Sequence, residues 1–250
     1  MKFVLTIAIF LVLSVSGRSQ LGPCAEIKGP LLPDLVVNAK VMSSSLFTVR
    51  EYFGPCEAIE AGGGMVEGAY TVVRFSTQTE NRGPVSMVLG APVDCATIFA
   101  KALCSPNGWH AISPHAFRLW TLPGYDNWVK NRDLSLVITG TKNETLLKAA
   151  LASGELLKTN RKLWYDFEDY THYDKSRGPS KALFTDEFQG LSPGWADIYN
   201  AKGFGQFIII DGVPKGQYMI EVQINPDHVL PESDYKNNST GVKWNWLGKV

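Results

Sequence analysis

The stretch Glu232-Ser-Asp234, followed closely by Asn237-Asn238, brings two carboxylates and two amides into one short segment. On an extended backbone the two carboxylates face the same side, and the amides add neutral oxygens within a turn. Hard cations such as calcium take about six to eight such oxygens from flexible loops, so this segment has calcium-type donors, although by itself it is equally an acidic turn closing a hairpin. Imidazoles form a second group. The chain has 4 histidines, with His110 and His115 flanking Pro114 and His172 inside Asp169-Tyr-Thr-His-Tyr-Asp174. Imidazole suits copper and zinc, but five-residue spacing puts His110 and His115 on opposite faces of a regular strand. Cys24, Cys56, Cys95 and Cys104 show no paired CxxC spacing. In an exported chain they predict two disulfides, with three connectivities open.

These groups need a scaffold, and the pattern points to strands. Leu31–Val37, Tyr70–Phe75, Ala116–Trp120, Leu134–Thr139, Trp164–Phe167, Gln206–Ile210 and Tyr218–Ile224 are short apolar or β-branched runs bounded by turn residues. Asn81-Arg-Gly-Pro84 predicts a turn, with Val85–Leu89 a second strand in hairpin reach of the first. Two helices are expected: a short one over Cys95–Leu103, and one from Asn143. The second carries Leu146, Leu147, Ala150 and Leu151 at helical spacing and ends at Gly154. The fold class is therefore mostly β, a sandwich with long loops and a few short helices.

The first residues, Met1-Lys2 and an apolar run ending at Ser16-Gly17, predict a secretory signal peptide over 1–19 and one domain over 20–250. No later run is long enough to span a membrane. A formal net charge of +0 with no basic block argues against nucleic acid as a partner. Asn143-Glu-Thr145 is the expected glycan acceptor. Asn237 and Asn238 also begin sequons, but an amide that ligates an ion is not free to carry sugar.

Gln189-Gly-Leu-Ser-Pro-Gly194, Trp195-Ala-Asp-Ile-Tyr199 and Leu230-Pro-Glu-Ser-Asp-Tyr-Lys-Asn-Asn238 together resemble the catalytic domain of the lysyl oxidases, secreted copper amine oxidases that crosslink collagen and elastin. The likeness covers roughly Leu31 to Trp246 and is weak between Cys95 and Asn160, where the helix around Leu146 reads as an insertion. It implies a structural calcium held by Asp34, the Leu35 carbonyl, Glu232, Asp234, Asn237 and Asn238. It also implies a lysine tyrosylquinone made from Lys162 and Tyr199, the quinone being what draws electrons from a substrate amine. Tyr199 is set by the glycine motif before it; Lys162 is set by the Glu168-Asp169 ending of its segment.

The copper centre is where the pattern departs from the family, which uses a Cys-His-x-His-x-His strand. Registering on Cys104 puts Ser105, Asn107 and Trp109 at the histidine positions. Registering on Trp109-His110 puts Ser113, His115 and Phe117 there. A copper site would have to be improvised from His110, His115 and His172. The expectation is a secreted, calcium-stabilised, non-catalytic relative that binds extracellular matrix or another secreted protein. The alternative is an active copper-dependent protein-lysine 6-oxidase with an atypical site.

Overall fold

The computed structural model describes residues 30–61, 65–92, 99–101, 108–133 and 140–250; the side chains of 60–61, 112–114, 140–141 and 162–164 are outside the description. The signal peptide, the strand expected over Leu134–Thr139, and Cys24, Cys95 and Cys104 lie outside the described residues. Cys56 is disulfide-bonded. No helix among the described residues is long and apolar enough to cross a membrane.

The chain runs β1 (Leu35–Val37), α1 (Ala39–Ser44), β2 (Phe47–Phe53), α2 (Pro55–Ala61), β3 (Gly68–Arg74), β4 (Thr77–Asn81), β5 (Met87–Gly90), β6 (Phe99–Lys101) and β7 (Trp109–Thr121). It continues through α3 (Leu122–Asn131), α4 (Gly140–Ser153), β8 (Leu156–Tyr165), β9 (Thr171–His172), β10 (Gln189–Leu191), β11 (Trp195–Tyr199), β12 (Phe207–Ile209), β13 (Gly216–Ile224) and β14 (Ser239–Trp246). The expected mostly-β class is what the structure shows.

Among the described residues all strand pairings are antiparallel, in four sheets: β1-β4-β11-β9, β10-β5, β12-β3-β2, and β14-β13-β7-β6 with β8 also on β7. Their inward faces share one apolar core, including Leu35, Val73, Phe75, Phe117, Tyr165, Leu191, Ile220, Val222 and Trp244. Period-2 alternation explains β14, where Val242, Trp244 and Trp246 are buried while Lys243 and Asn245 are exposed.

Two local expectations are corrected. Phe99–Lys101 is strand β6, paired to Ala111, His110 and Trp109 of β7, rather than part of a helix over Cys95–Leu103. Residues 85–89 do not return as a hairpin: β5 pairs with the distant β10, while β3 lies between β2 and β12. The helix predicted from Asn143 is α4, and Gly154 ends it at φ 77°, in the left-handed region that favours glycine.

The outer face of the large sheet carries an ionic core of its own. Glu221 is fully buried and accepts from Arg118 (3.1 Å), Arg132 (2.9 Å), the indoles of Trp120 and Trp128 (2.9 Å each) and Ser239. Helix α3, capped by the Thr121 hydroxyl accepting from Gly124 N, delivers Trp128 onto Trp120 with ring centroids 5.6 Å apart. Arg118 and Arg132 lie 5.4 and 6.0 Å from the Trp128 ring centroid.

Candidate functional site

The calcium-type residues come together by joining distant segments. The main-chain N–H of Leu35 donates to Glu232 Oε2 at 2.7 Å, and Ser233 N donates to Pro33 O at 2.9 Å. The Asn237 amide donates to Asp34 Oδ1 at 2.8 Å. Glu232 Oε1 accepts from the amides of Asn225 (2.6 Å) and Asn238 (2.8 Å). Burial first, with the Asp34 charge adding, pushes the Glu232 carboxyl up to about 8, although Asn225, Leu35 and Asn238 donate to it. A buried acid of this kind lacks a positive partner.

A second observation points the same way. The side-chain oxygens of Asn237 and Asn238 are buried without a hydrogen-bond partner, which is costly unless something else meets them. Orphaned amide oxygens beside a proton-retaining carboxyl fit an oxygen-ligated cation. Asp234 behaves differently: the residue is exposed and its Oδ1 accepts from Lys236 N at 2.8 Å, so the extended geometry expected for 232–234 gives way to a turn. Among the described residues, no three His, Cys, Asp or Glu form a metal-holding group. A cation here therefore depends on the amide and carbonyl oxygens.

Geometry sets the Asn238 sequon apart, because that side chain is fully buried whereas Asn237 and Asn143 are half-buried. Asn238 is fully buried and its amide donates to both Glu232 and Ile224 O, and the Asn237 amide is held by Asp34. Asn143 is half-buried; its amide nitrogen donates to Asp133 O at 2.6 Å, a bond one remaining amide hydrogen can keep after glycosylation, and its oxygen accepts from Asp133 N at 2.9 Å. In protein made by a secretory host, Asn143→Gln is expected to remove the glycosidase-sensitive mass, and Asn237→Gln or Asn238→Gln to leave it. Loss of sugar in the Asn238 variant instead would reverse the assignment.

The quinone-type pair is built on β8 and β11. The QGLSPG segment positions Tyr199 through two glycines. A Cβ on Gly190 would stand 2.5 Å from Met87 O and from the Phe184 ring, and Gly194 has φ 75°. Tyr199 stacks on Tyr165 with centroids 4.3 Å apart, and its hydroxyl accepts from Asp166 N at 2.8 Å. Burial first, then Asp166 and Asp197, raises its phenol well above the usual range. Lys162 lies on β8 opposite His115 of β7, and its side chain is outside the description. The neighbouring cations are engaged elsewhere: Lys158 donates to Asp211 O, and Arg161 pairs with Asp227.

The histidines are each held separately. His110 Nδ1 meets Asp166 Oδ1 at 2.9 Å, and fully buried His115 meets the Thr79 hydroxyl through Nε2 at 3.0 Å. His172 accepts its place on Trp195, stacked at 4.6 Å, and meets Arg177 O through Nε2 at 2.9 Å. Phe117, at the next position on the His115 face, is fully buried with its ring edge-on to Phe75 at 5.0 Å. The sequence did not indicate the residues that surround Tyr199 and His115. Thr79, Tyr165, Asp197 and Gln189 are buried polar groups on four different strands, and only pairing brings them together.

Residues 168–250 match the lysyl oxidase family model. Protein-lysine 6-oxidase of Sus scrofa is 52% identical over 50 residues, 20% of this chain and 20% of that protein. The Homo sapiens protein of the same name is 50% identical over 50 residues, 20% of this chain and 12% of its own length. Lysyl oxidase homolog 2 of Bos taurus is 25% identical over 215 residues, covering 82% of this chain and 23% of the relative. The chain thus spans about a fifth or less of most of these relatives. Over residues 168–250, the chain is similar to the lysyl oxidase family.

Proposed function

We propose that the protein is a secreted, non-catalytic lysyl-oxidase-like module that binds extracellular matrix or another secreted protein and is stabilised by calcium. The observation that carries this reading is Phe117. In the register that keeps Trp109-His110, a copper ligand position is filled by a phenylalanine packed into the core, and a phenyl ring has no lone pair to give a metal. The residues present do not fit a three-imidazole copper centre. Without one, nothing oxidises Tyr199, and it stays a half-buried neutral phenol.

The calcium-type residues, unlike the copper-type ones, suit their ion: the Asn237 and Asn238 side-chain oxygens are buried without a partner beside the Glu232 carboxyl. Asp34, the Leu35 carbonyl, Glu232, Asn237 and Asn238 would hold it, whereas Asp234 is exposed and accepts from Lys236 N. When bound, the ion supplies charge neutralisation and a link between chain segments.

Copper reconstitution of the purified mature protein tests the reading. The expected result is no quinone absorbance, no redox-cycling stain and no lysine oxidation in a peptide substrate. A quinone signal that disappears in Tyr199→Phe would establish the alternative, an active protein-lysine 6-oxidase with an atypical copper site.

A further inference from the structure

Helices α3 and α4 share a small apolar cluster of their own, separate from the main core. Trp120, Trp128, Ala150 and Leu156 are buried in it, with Leu146 packed at its margin. The cluster is not filled. A cavity of about 220 Å³ remains, lined by the two indoles, by Leu146 and Ala150, and by Asn127 and Glu155. Ala149 and Ser153 also line it and, like Asn127, are exposed, so the cavity opens to solvent. The indole N–H groups of Trp120 and Trp128 both donate to Glu221 at 2.9 Å. What the two rings offer the cavity is therefore carbon. Ala149 and Ala150 leave space that a larger apolar side chain on α4 would close, and a void against buried indoles forfeits their packing contacts. An engineered apolar cavity of about 150 Å³ takes up benzene, so this one has room for a single ring or a fused pair.

The acceptor in the lining is Glu155. Its main-chain oxygen accepts from Thr121 N at 2.9 Å, which fixes the residue where β7 passes into α3. Gly124 lets it approach: a Cβ there would stand 2.6 Å from Glu155 Cβ. Among the described residues no cation pairs with this half-buried carboxylate. Its Oε2 accepts from the Asn127 amide at 3.5 Å, the long limit of a hydrogen bond, so a better-placed donor can displace that amide. The other polar side chains of the lining are engaged locally. Asn127 Oδ1 accepts from Asn131, and Ser153 Oγ donates to Ala150 O.

We propose that this cavity binds a small neutral aromatic molecule of one or two rings that carries a hydroxyl or ring N–H, the ring against the indoles and the donor on Glu155. An apolar pocket with one placed acceptor fixes both what enters and how it is oriented, and aromatic pairing adds to the burial of the ring. The carboxylate excludes an anion. None of the lining residues belongs to the calcium-type or quinone-type groups, so occupancy of the cavity is separate from both.

Titration calorimetry of the whole mature protein with phenol, indole, toluene and benzoate tests it. Phenol and indole are expected to bind saturably with dissociation constants below about 1 mM. Toluene, the same ring without a donor, should bind about fivefold or more weakly than phenol, and benzoate should give no saturable heat. Ala149→Phe fills the cavity from its open side. It should weaken phenol binding about tenfold or more while leaving the melting temperature of the free protein undiminished. Glu155→Gln should bring phenol down to the affinity of toluene and leave toluene itself unchanged, which also shows that the cavity is intact in that variant. Absence of saturable phenol binding below about 10 mM overturns the proposal. So does phenol binding that survives in a folded Ala149→Phe protein, because the ring then sits elsewhere. Equal affinities of phenol and toluene for the unmodified protein, or benzoate that binds as well as phenol, overturn it too, since Glu155 then selects nothing.

Discussion

Glu221→Ala is expected to destabilise the fold by about 3–5 kcal/mol, because it strands two buried guanidiniums. Burial alone would raise the Glu221 carboxyl; the charge of Arg118, then Ser239, Arg132 and Trp128, outweigh it and hold the group below the usual carboxylate range. Without that carboxylate, Arg118 and Arg132 lose their shared anion, and the indoles of Trp120 and Trp128 lose their acceptor. For a chain of this size the melting temperature should fall by roughly 6–20 °C. Replacing the three charges together, by Glu221→Leu with Arg118→Met and Arg132→Met, should recover much of the loss, since apolar substitutes for a buried ionic cluster are often close to neutral. Denaturant unfolding with a change below about 1 kcal/mol for Glu221→Ala would show that α3 is held by packing alone.

Chelating calcium is the second large effect. At free calcium about a thousandfold above its dissociation constant, binding to the native state alone stabilises by about 4 kcal/mol, and chelation should remove it. The pH dependence of the stripped protein has a definite sign. Native Glu232 keeps its proton up to about 8, whereas the unfolded chain releases it near the ordinary value of 4.5. Between those values the unfolded state binds fewer protons, so stability falls as pH rises, by at most about 1.4 kcal/mol per unit, and levels off above the native value. The melting temperature after chelation should therefore drop further at pH 8 than at pH 5, and restored calcium should close the gap. A melting temperature indifferent to chelation at both pH values would eliminate the site.

Much of this was readable before any coordinates, and the misses have physical causes. Runs such as Tyr218–Ile224 and Ala116–Trp120 became β13 and the second half of β7, because a strand buried on its inward face needs that apolar register. Thr77-Gln-Thr-Glu-Asn81 is polar throughout, yet all five residues are buried in β4, between β1 and β11. Their polar groups are met by side chains from elsewhere: Thr79 by His115, Glu80 by Asn38 and Arg82. No local pattern announces such partners. Phe207–Ile209 and Gly216–Ile224 look like two arms across the Asp211–Gly216 turn, but they enter different sheets. In the site, the glycine motif made Tyr199 legible, whereas the inward turn of Glu232 and the outward turn of Asp234 depend on where β1 lies.

The bonds that join the first strand to the 232–238 loop span 197 and 203 residues of chain. Closing a loop of that length costs entropy before any contact repays it, and neither partner has a substitute nearby. The join therefore belongs to the end of folding, after the large sheet has brought its flanks together. A nascent chain still short of residue 232 has β1 but no carboxylate to receive Leu35. An ion that recognises only the completed join would then act as a sensor of chain completeness, separating finished molecules from truncated ones.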